Sequence, residues 1–293
     1  EIAGVHEIKR IGEHRIGSNP FILLRHEMSE APIFSQPNYL SMIEDGNGLN
    51  PLLQNYWMTI HPPVLFLGFA SVTFPFAFAI ASLLRKDWSE WVKPALPWTL
   101  FSIAILGTGI LMGGAWAYES LSFGGFWAWD PVENMSLVPW LMVVAGLHML
   151  LVYRYTKHSL ISTYVFFILG FVMVLYSTFL TRSGILGDTS VHAFTDLGMT
   201  GQLLIYMAFF VVVAFTLLFI RVFKKQIPVI EKEEELKSRE FLMFIGTLVL
   251  FLSALQMIFT TSIPVWNIVL EPLFKSMEWD KLGCQRRRFA NHP

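Results

Sequence analysis

Six apolar runs set the frame of this sequence: 63–84, 96–113, 135–153, 160–181, 200–220 and 241–263. Each is about as long as a helix needs to cross ~30 Å of hydrocarbon. The runs are continuous rather than alternating, so they read as helices and not as strands of a closed barrel, the other structure that satisfies its backbone in lipid. The expectation is an all-α, polytopic membrane helix bundle of about six transmembrane helices. Around the runs, residues 1–60 form a polar extramembrane segment with turn signals such as DGNGLNP, 61–223 a membrane core, and 224–240 a charged linker. A further span, 241–263, and a tail without periodicity, 264–293, complete the division.

Composition agrees: 54% of the 293 residues are hydrophobic and 15% charged, too apolar for a soluble domain of this size. Lysine and arginine close to the spans orient them. Arg85, Lys86 and Lys93 lie between the first two spans, Arg154 and Lys157 between the third and fourth, and Arg221, Lys224, Lys225, Lys232, Lys237 and Arg239 between the last two. Those connections are expected to face the cytoplasm. The connection between the second and third spans has no basic residue and that between the fourth and fifth has only Arg182, so both are expected to face outward with the segment before the first span. No polybasic patch supports nucleic-acid binding, and the run EKEEELKSRE, 231–240, reads as a solvated helix extension with i,i+4 charge pairs. Cys284 is the one cysteine, which excludes an internal disulfide or a CxxC haem-attachment site within this sequence. Glu1 is not an initiator, and a membrane-bound segment is expected before it.

The chemistry is sought at GGFWAWDPVEN, 124–134, on the outward side, and at histidines placed where an unpartnered polar group is costly. His61 precedes two prolines that are expected to delay the first helix. His192 lies in the outward connection before the fifth span. His148, about fourteen residues down the third span at ~1.5 Å each, falls some 20 Å inward, on a stripe with Leu141 and Ala145. Each histidine taken alone is accounted for by a hydrogen bond to a neighbour. Together, two outward histidines bracket an aromatic platform, and a planar iron macrocycle needs two axial nitrogens and apolar surface at its edge. Zinc is the rival metal, without further ligands at the usual spacing. Gly124 and Gly125 allow unusual dihedrals, Asp130 before Pro131 reads as a cap opening the third helix, and Glu133 suits its first turn. An interfacial aromatic belt is the plain alternative for the tryptophans. Asp130 is open to a structural or a catalytic role, and Arg182 to pairing with a carboxylate or with lipid phosphate.

Three motifs, GLNPLLQNYWMTIHPP, GGFWAWDPVENMSLVPWL and FLTRSGILGDTSVHAF, occur in that order. They closely resemble the CcmF family of cytochrome c haem lyase subunits, within the WWD-domain haem-handling proteins, over about residues 17–225. PVEN after the aspartate is more similar to CcmF and its nitrite-reductase-maturation relatives than to CcmC or the CcsA-type synthases. The resemblance implies that His61 and His192 are axial ligands of a substrate haem b lying on a WWD-type loop, 114–133, in which Trp116, Phe123, Gly124, Gly125, Phe126, Trp127, Trp129 and Asp130 would contact it. Arg182 is set against the haem propionates. The family usually has tryptophan where Phe123 and Phe126 stand, which keeps the apolar face but loses indole N–H groups.

The resemblance further implies that His148 matches one of two ligands of a second, structural b haem, whose other ligand lies past the matched region. His292, in the tail, is not taken as that ligand. The implied activity is attachment of haem to the two cysteines of an apocytochrome c CxxCH segment, with a haem chaperone and other cytochrome c maturation subunits as partners. The implied location is the bacterial inner membrane, in contact with lipid, with the haem loop facing the periplasm. Two other readings stay open. One is a haem transporter or chaperone of the CcmC type; the other is a b-type respiratory anchor, which would place its ligands inside helices.

Overall fold

The computed structural model describes residues 51–186, 190, 198–228, 238–268 and 270. After a 3₁₀ turn, Pro51–Leu53, come α1 (Tyr56–Ser71), α2 (Thr73–Arg85), α3 (Val92–Ser120), α4 (Pro131–Thr156), α5 (Leu160–Arg182), α6 (Thr200–Phe223) and α7 (Arg239–Thr261). All regular structure among the described residues is helical, and six segments are long and apolar enough to cross a membrane, α1 and α2 forming one broken span. The protein is a multi-pass, all-α membrane bundle. One end of it carries the 86–91, 157–159 and 224–228 connections; the other carries 51–55, 121–130, 183–186 and 198–199.

The first span begins earlier than the prolines suggested. Asn55 caps it by accepting from the Trp57 N–H, a turn is nucleated before Pro62 and Pro63, and His61 is inside α1 rather than ahead of it. Proline removes a donor yet keeps a helical φ, so a capped helix can run through it. The discontinuity falls at Val72, between α1 and α2. Pro75 there has no N–H for the Ser71 carbonyl, and Ser102 Oγ of α3 donates to that carbonyl at 2.7 Å instead. In lipid no water could do so. Other boundaries shift by a few residues, and around the aromatic loop both helices run past the apolar stretch: α3 reaches Ser120 and α4 opens at Pro131, capped by Asp130. Of the charged run, only Ser238 onward is described; Ser238 caps α7 by accepting from the Phe241 N–H. Its earlier residues, with residues 1–50 and the tail holding Cys284 and His292, lie outside the described residues.

Helix α1 packs along α3, and α4 lies between α5 and α7. The α1–α3 contact is nearly backbone to backbone: a Cβ on Gly68 would lie 2.6 Å from Leu106 Cα, and one on Gly109 would lie 2.7 Å from Leu65 Cα. Gly109 and Gly113 are a small-xxx-small pair, the pattern that lets membrane helices approach closely. One core gathers around Leu83, Tyr164, Phe167 and Ile168 of α2 and α5; a second, around Met135, Met142 and Leu180, joins α4 and α5 to α7. Most of the α6 and α7 surface remains exposed and apolar, as lipid contact requires.

Candidate functional site

The aromatic loop is the connection 121–130; the flanks of the 114–133 stretch belong to α3 and α4. Tyr118 of α3 and Phe126 stack with centroids 4.4 Å apart and planes 3° from parallel. Phe123, Phe126 and Trp129 are exposed, Trp129 by 70%. Exposed aromatic side chains gathered in one short connection are candidates for a contact site. Gly124 has φ +71°, a left-handed position that glycine takes without strain. Trp129 has φ +59°, a conformation rare for so bulky a residue, and strain of this kind concentrates at functional sites.

Residues of the first turn of α4 hold the loop in that form. Asn134, nearly buried, accepts from Trp127 Nε1 at 3.2 Å and donates through Nδ2 to the Trp129 carbonyl at 3.2 Å. The same amide reaches Thr261 Oγ1 at 3.5 Å, so the end of α7 joins the network. Glu133 accepts from the Ala128 N–H at 2.9 Å. Asp130 caps α4 by accepting from the Val132 N–H at 2.9 Å, and its Oδ2 also accepts from Ser190 Oγ at 2.8 Å. Trp116 is buried in α3 and donates to the Leu52 carbonyl at 3.0 Å, so it anchors the segment before α1 and does not form part of the exposed face.

His61 of α1 lies against α3. Its Nδ1 is 2.8 Å from the Gly109 carbonyl oxygen, which can only accept; Nδ1 therefore carries a hydrogen, and in the neutral ring Nε2 is the nitrogen with the lone pair. A Cβ on Gly113 would be 2.6 Å from the ring's Cε1, and one on the adjoining Gly114 would be 3.0 Å from the Phe126 carbonyl oxygen. Ring and aromatic loop thus rest on neighbouring residues of α3. His192 lies outside the described residues, but Ser190, two positions before it, is the group bound to Asp130. Arg182, half-buried, is the last residue of α5 at the same end of the bundle.

His148 is in α4, within the bundle. Its Nδ1 is buried without a hydrogen-bond partner among the described residues, an arrangement native structures rarely leave unexplained. Ala145, on the same stripe, is fully buried, and the His148 ring lies against α7, where a Cβ on Gly246 would stand 3.6 Å from Cε1.

Three contributors escape sequence reading. Asn134 was visible only as part of PVEN. Glu119, which accepts from Asn55 Nδ2 and Trp57 Nε1 at 3.0 Å each, clasps the start of α1 to the end of α3. Gly113 went unread as well, although its four-residue spacing from Gly109 is a signal that points to it.

Residues 22–186 match the sequence profile of the cytochrome C assembly protein family. The chain belongs to that family. It is 40% identical over 225 residues to the cytochrome c-type biogenesis protein CcmF of Pseudomonas fluorescens, covering 75% of this chain and 33% of that one. It is 38% identical over 244 residues to CcmF of Escherichia coli K12, covering 80% and 37%. NrfE of Haemophilus influenzae, also a cytochrome c-type biogenesis protein, is 39% identical over 173 residues, covering 58% and 26%. A solved structure of cytochrome c heme lyase CcmF aligns with a TM-score of 0.57 at 32% identity, over 75% of this chain and 34% of that chain. The chain thus spans about a third of the length of the curated relatives it matches. The profile match takes in His61, the aromatic loop and His148, and ends before His192.

Proposed function

We propose that this chain holds haem on the 121–130 shelf for covalent attachment to apocytochrome c, as part of a cytochrome c haem lyase. The observation that carries the reading is His61, whose Nδ1–H is committed to the Gly109 carbonyl beside an exposed, strained aromatic loop. Metal-binding histidines typically donate their second ring nitrogen to a carbonyl in this way, which orients the ring and raises the basicity of the ligating nitrogen. On this reading Nε2 of His61 takes one axial position of the substrate haem and His192 the other; Ser190, two positions before His192, donates to Asp130 of the loop. Phe123, Phe126 and Trp129 supply apolar contact, and Arg182 offsets the propionates beside Asp130 and Glu133.

The reaction adds each cysteine S–H across a vinyl C=C: sulfur bonds to one carbon and the hydrogen goes to the other. No oxidant is consumed, and the thiols arrive with the CxxCH segment. The residues of this chain orient the haem and keep its edge open. His148, whose buried Nδ1 has no partner among the described residues and faces Gly246, would hold a second, b-type haem, which when bound would add a one-electron redox centre within the bundle. The shelf faces the periplasm from the bacterial inner membrane, the basic connections face the cytoplasm, and a haem chaperone with other maturation subunits delivers the haem.

The test is to purify the full chain from membranes, load it with haem, and compare it with His61→Ala and His148→Ala. His61→Ala should abolish the low-spin signal of the shelf haem and leave that of the inner haem; His148→Ala should do the converse. An unchanged low-spin spectrum in His61→Ala would overturn the assignment. Adding a reduced CxxCH apocytochrome should then yield the thioether-shifted pyridine haemochrome; haem that leaves unligated to a carrier protein would favour a transporter of the CcmC type.

A further inference from the structure

We infer that Gly109 and Gly113 of α3 are positioning residues for the His61 ring: Gly113 forms the notch in which the ring lies, and the Gly109 carbonyl sets its tautomer. The inference rests on the reading of His61 as an axial ligand, but its geometry is independent of haem. The ring is 2.8 Å from the Gly109 oxygen through Nδ1. It occupies the place a side chain on residue 113 would take, within 2.6 Å at Cε1 and 3.1 Å at both nitrogens. The two glycines are one turn apart, so one stretch of helix backbone meets the imidazole both at its edge and across its face.

The close approach of the two helices makes this possible. In a regular helix the residue 109 carbonyl accepts from the residue 113 N–H, and a carbonyl has a second lone pair to offer. His61 can use it because α1 lies against bare backbone: side chains on Gly68 or Gly109 would meet Leu106 Cα or Leu65 Cα at 2.6 and 2.7 Å. A methyl group on residue 113 would overlap the ring itself. The ring would have to swing, the Nδ1 bond would open, and Nε2 would lose its defined direction. Gly68 is two turns away from His61 along α1, so an alanine there crowds the helices without touching the ring.

The experiment uses the full chain in detergent with 15N-labelled histidine, the His61 resonances being assigned by their loss in His61→Gln. Without haem, wild type should show His61 as the Nδ1–H tautomer; Gly113→Ala should shift both ring nitrogens, whereas Gly68→Ala should leave them in place. A wild-type His61 protonated on Nε2, or ring signals that move equally in Gly68→Ala and Gly113→Ala, would overturn the inference. The wild-type tautomer decides the matter even if Gly113→Ala fails to fold. With haem added, Gly113→Ala should lose shelf-haem affinity by about 10–100-fold, the range for lost orienting contacts around a metal ligand. Ring nitrogens that shift in Gly113→Ala while haem binding stays unchanged would support the notch and refute the haem role of His61.

Discussion

Replacing Asn134 with leucine should release the aromatic loop while leaving the helices intact. The three contacts of Asn134, at 3.2, 3.2 and 3.5 Å, lie at the long end of the hydrogen-bond range. Each of the two shorter ones is therefore set near the lower end of the usual contribution, about 0.5–1 kcal/mol. Against this, the left-handed backbone of Trp129 costs about 1–2 kcal/mol. Loss of the bond to the Trp129 carbonyl is comparable with that strain, so the left-handed conformer should give way to ordinary extended ones. A change of ~1.4 kcal/mol in that balance is tenfold in population, and haem affinity at the shelf should fall by about the same factor. The assay is 5-fluorotryptophan NMR of the full chain, following Trp127 and Trp129, alongside haem titration and far-UV circular dichroism. Thr261→Val removes only the longest contact and should be nearly silent. Unmoved Trp127 and Trp129 signals in Asn134→Leu would refute the reasoning, as would equal shifts in Thr261→Val.

Other outcomes follow from the same contacts. Asp130→Ala removes both a helix cap and the bond to Ser190 and should lower stability by about 1–3 kcal/mol, whereas Ser190→Ala should cost only about 0.5–1.5 kcal/mol; equal thermal shifts would contradict the double role. Ser102→Ala leaves the Ser71 carbonyl, freed by Pro75, without its donor, and should destabilise the bundle by about 1–3 kcal/mol in detergent unfolding, with no change in haem affinity. Arg182→Gln should weaken retention of shelf haem and Arg182→Lys should restore it only in part, because a lysine lacks the planar fork that pairs with a carboxylate; equal haem content in wild type and Arg182→Gln would remove the propionate role.

Much of the site was legible before any fold was known. The aromatic loop, its acidic cap at Asp130 and the six apolar runs are local patterns, and α4 opens where the Asp–Pro pair placed it. His61 was legible as a residue of interest but misplaced by more than a turn of helix, because a cap six residues earlier outweighed two prolines. Trp116 was grouped with the platform by its neighbourhood in sequence; only its rotation around α3 turns it toward Leu52.

Hydropathy and charge asymmetry are summed over consecutive residues, so the sequence by itself determined the helical class, the number of spans among the described residues and the expected sidedness. Which faces meet depends instead on how each helix is rotated and how closely its neighbour approaches. That is why the tertiary structure alone decided that His61 bonds to a carbonyl 48 residues away, that Ser190 reaches Asp130 across 60, and that Asn134 touches α7 across 127. It alone turned Gly113 into a seat for an imidazole and set Gly246 opposite His148. A glycine in a helical run reads as a weak point in the sequence, and only the partner that occupies the space of its missing side chain gives it a role.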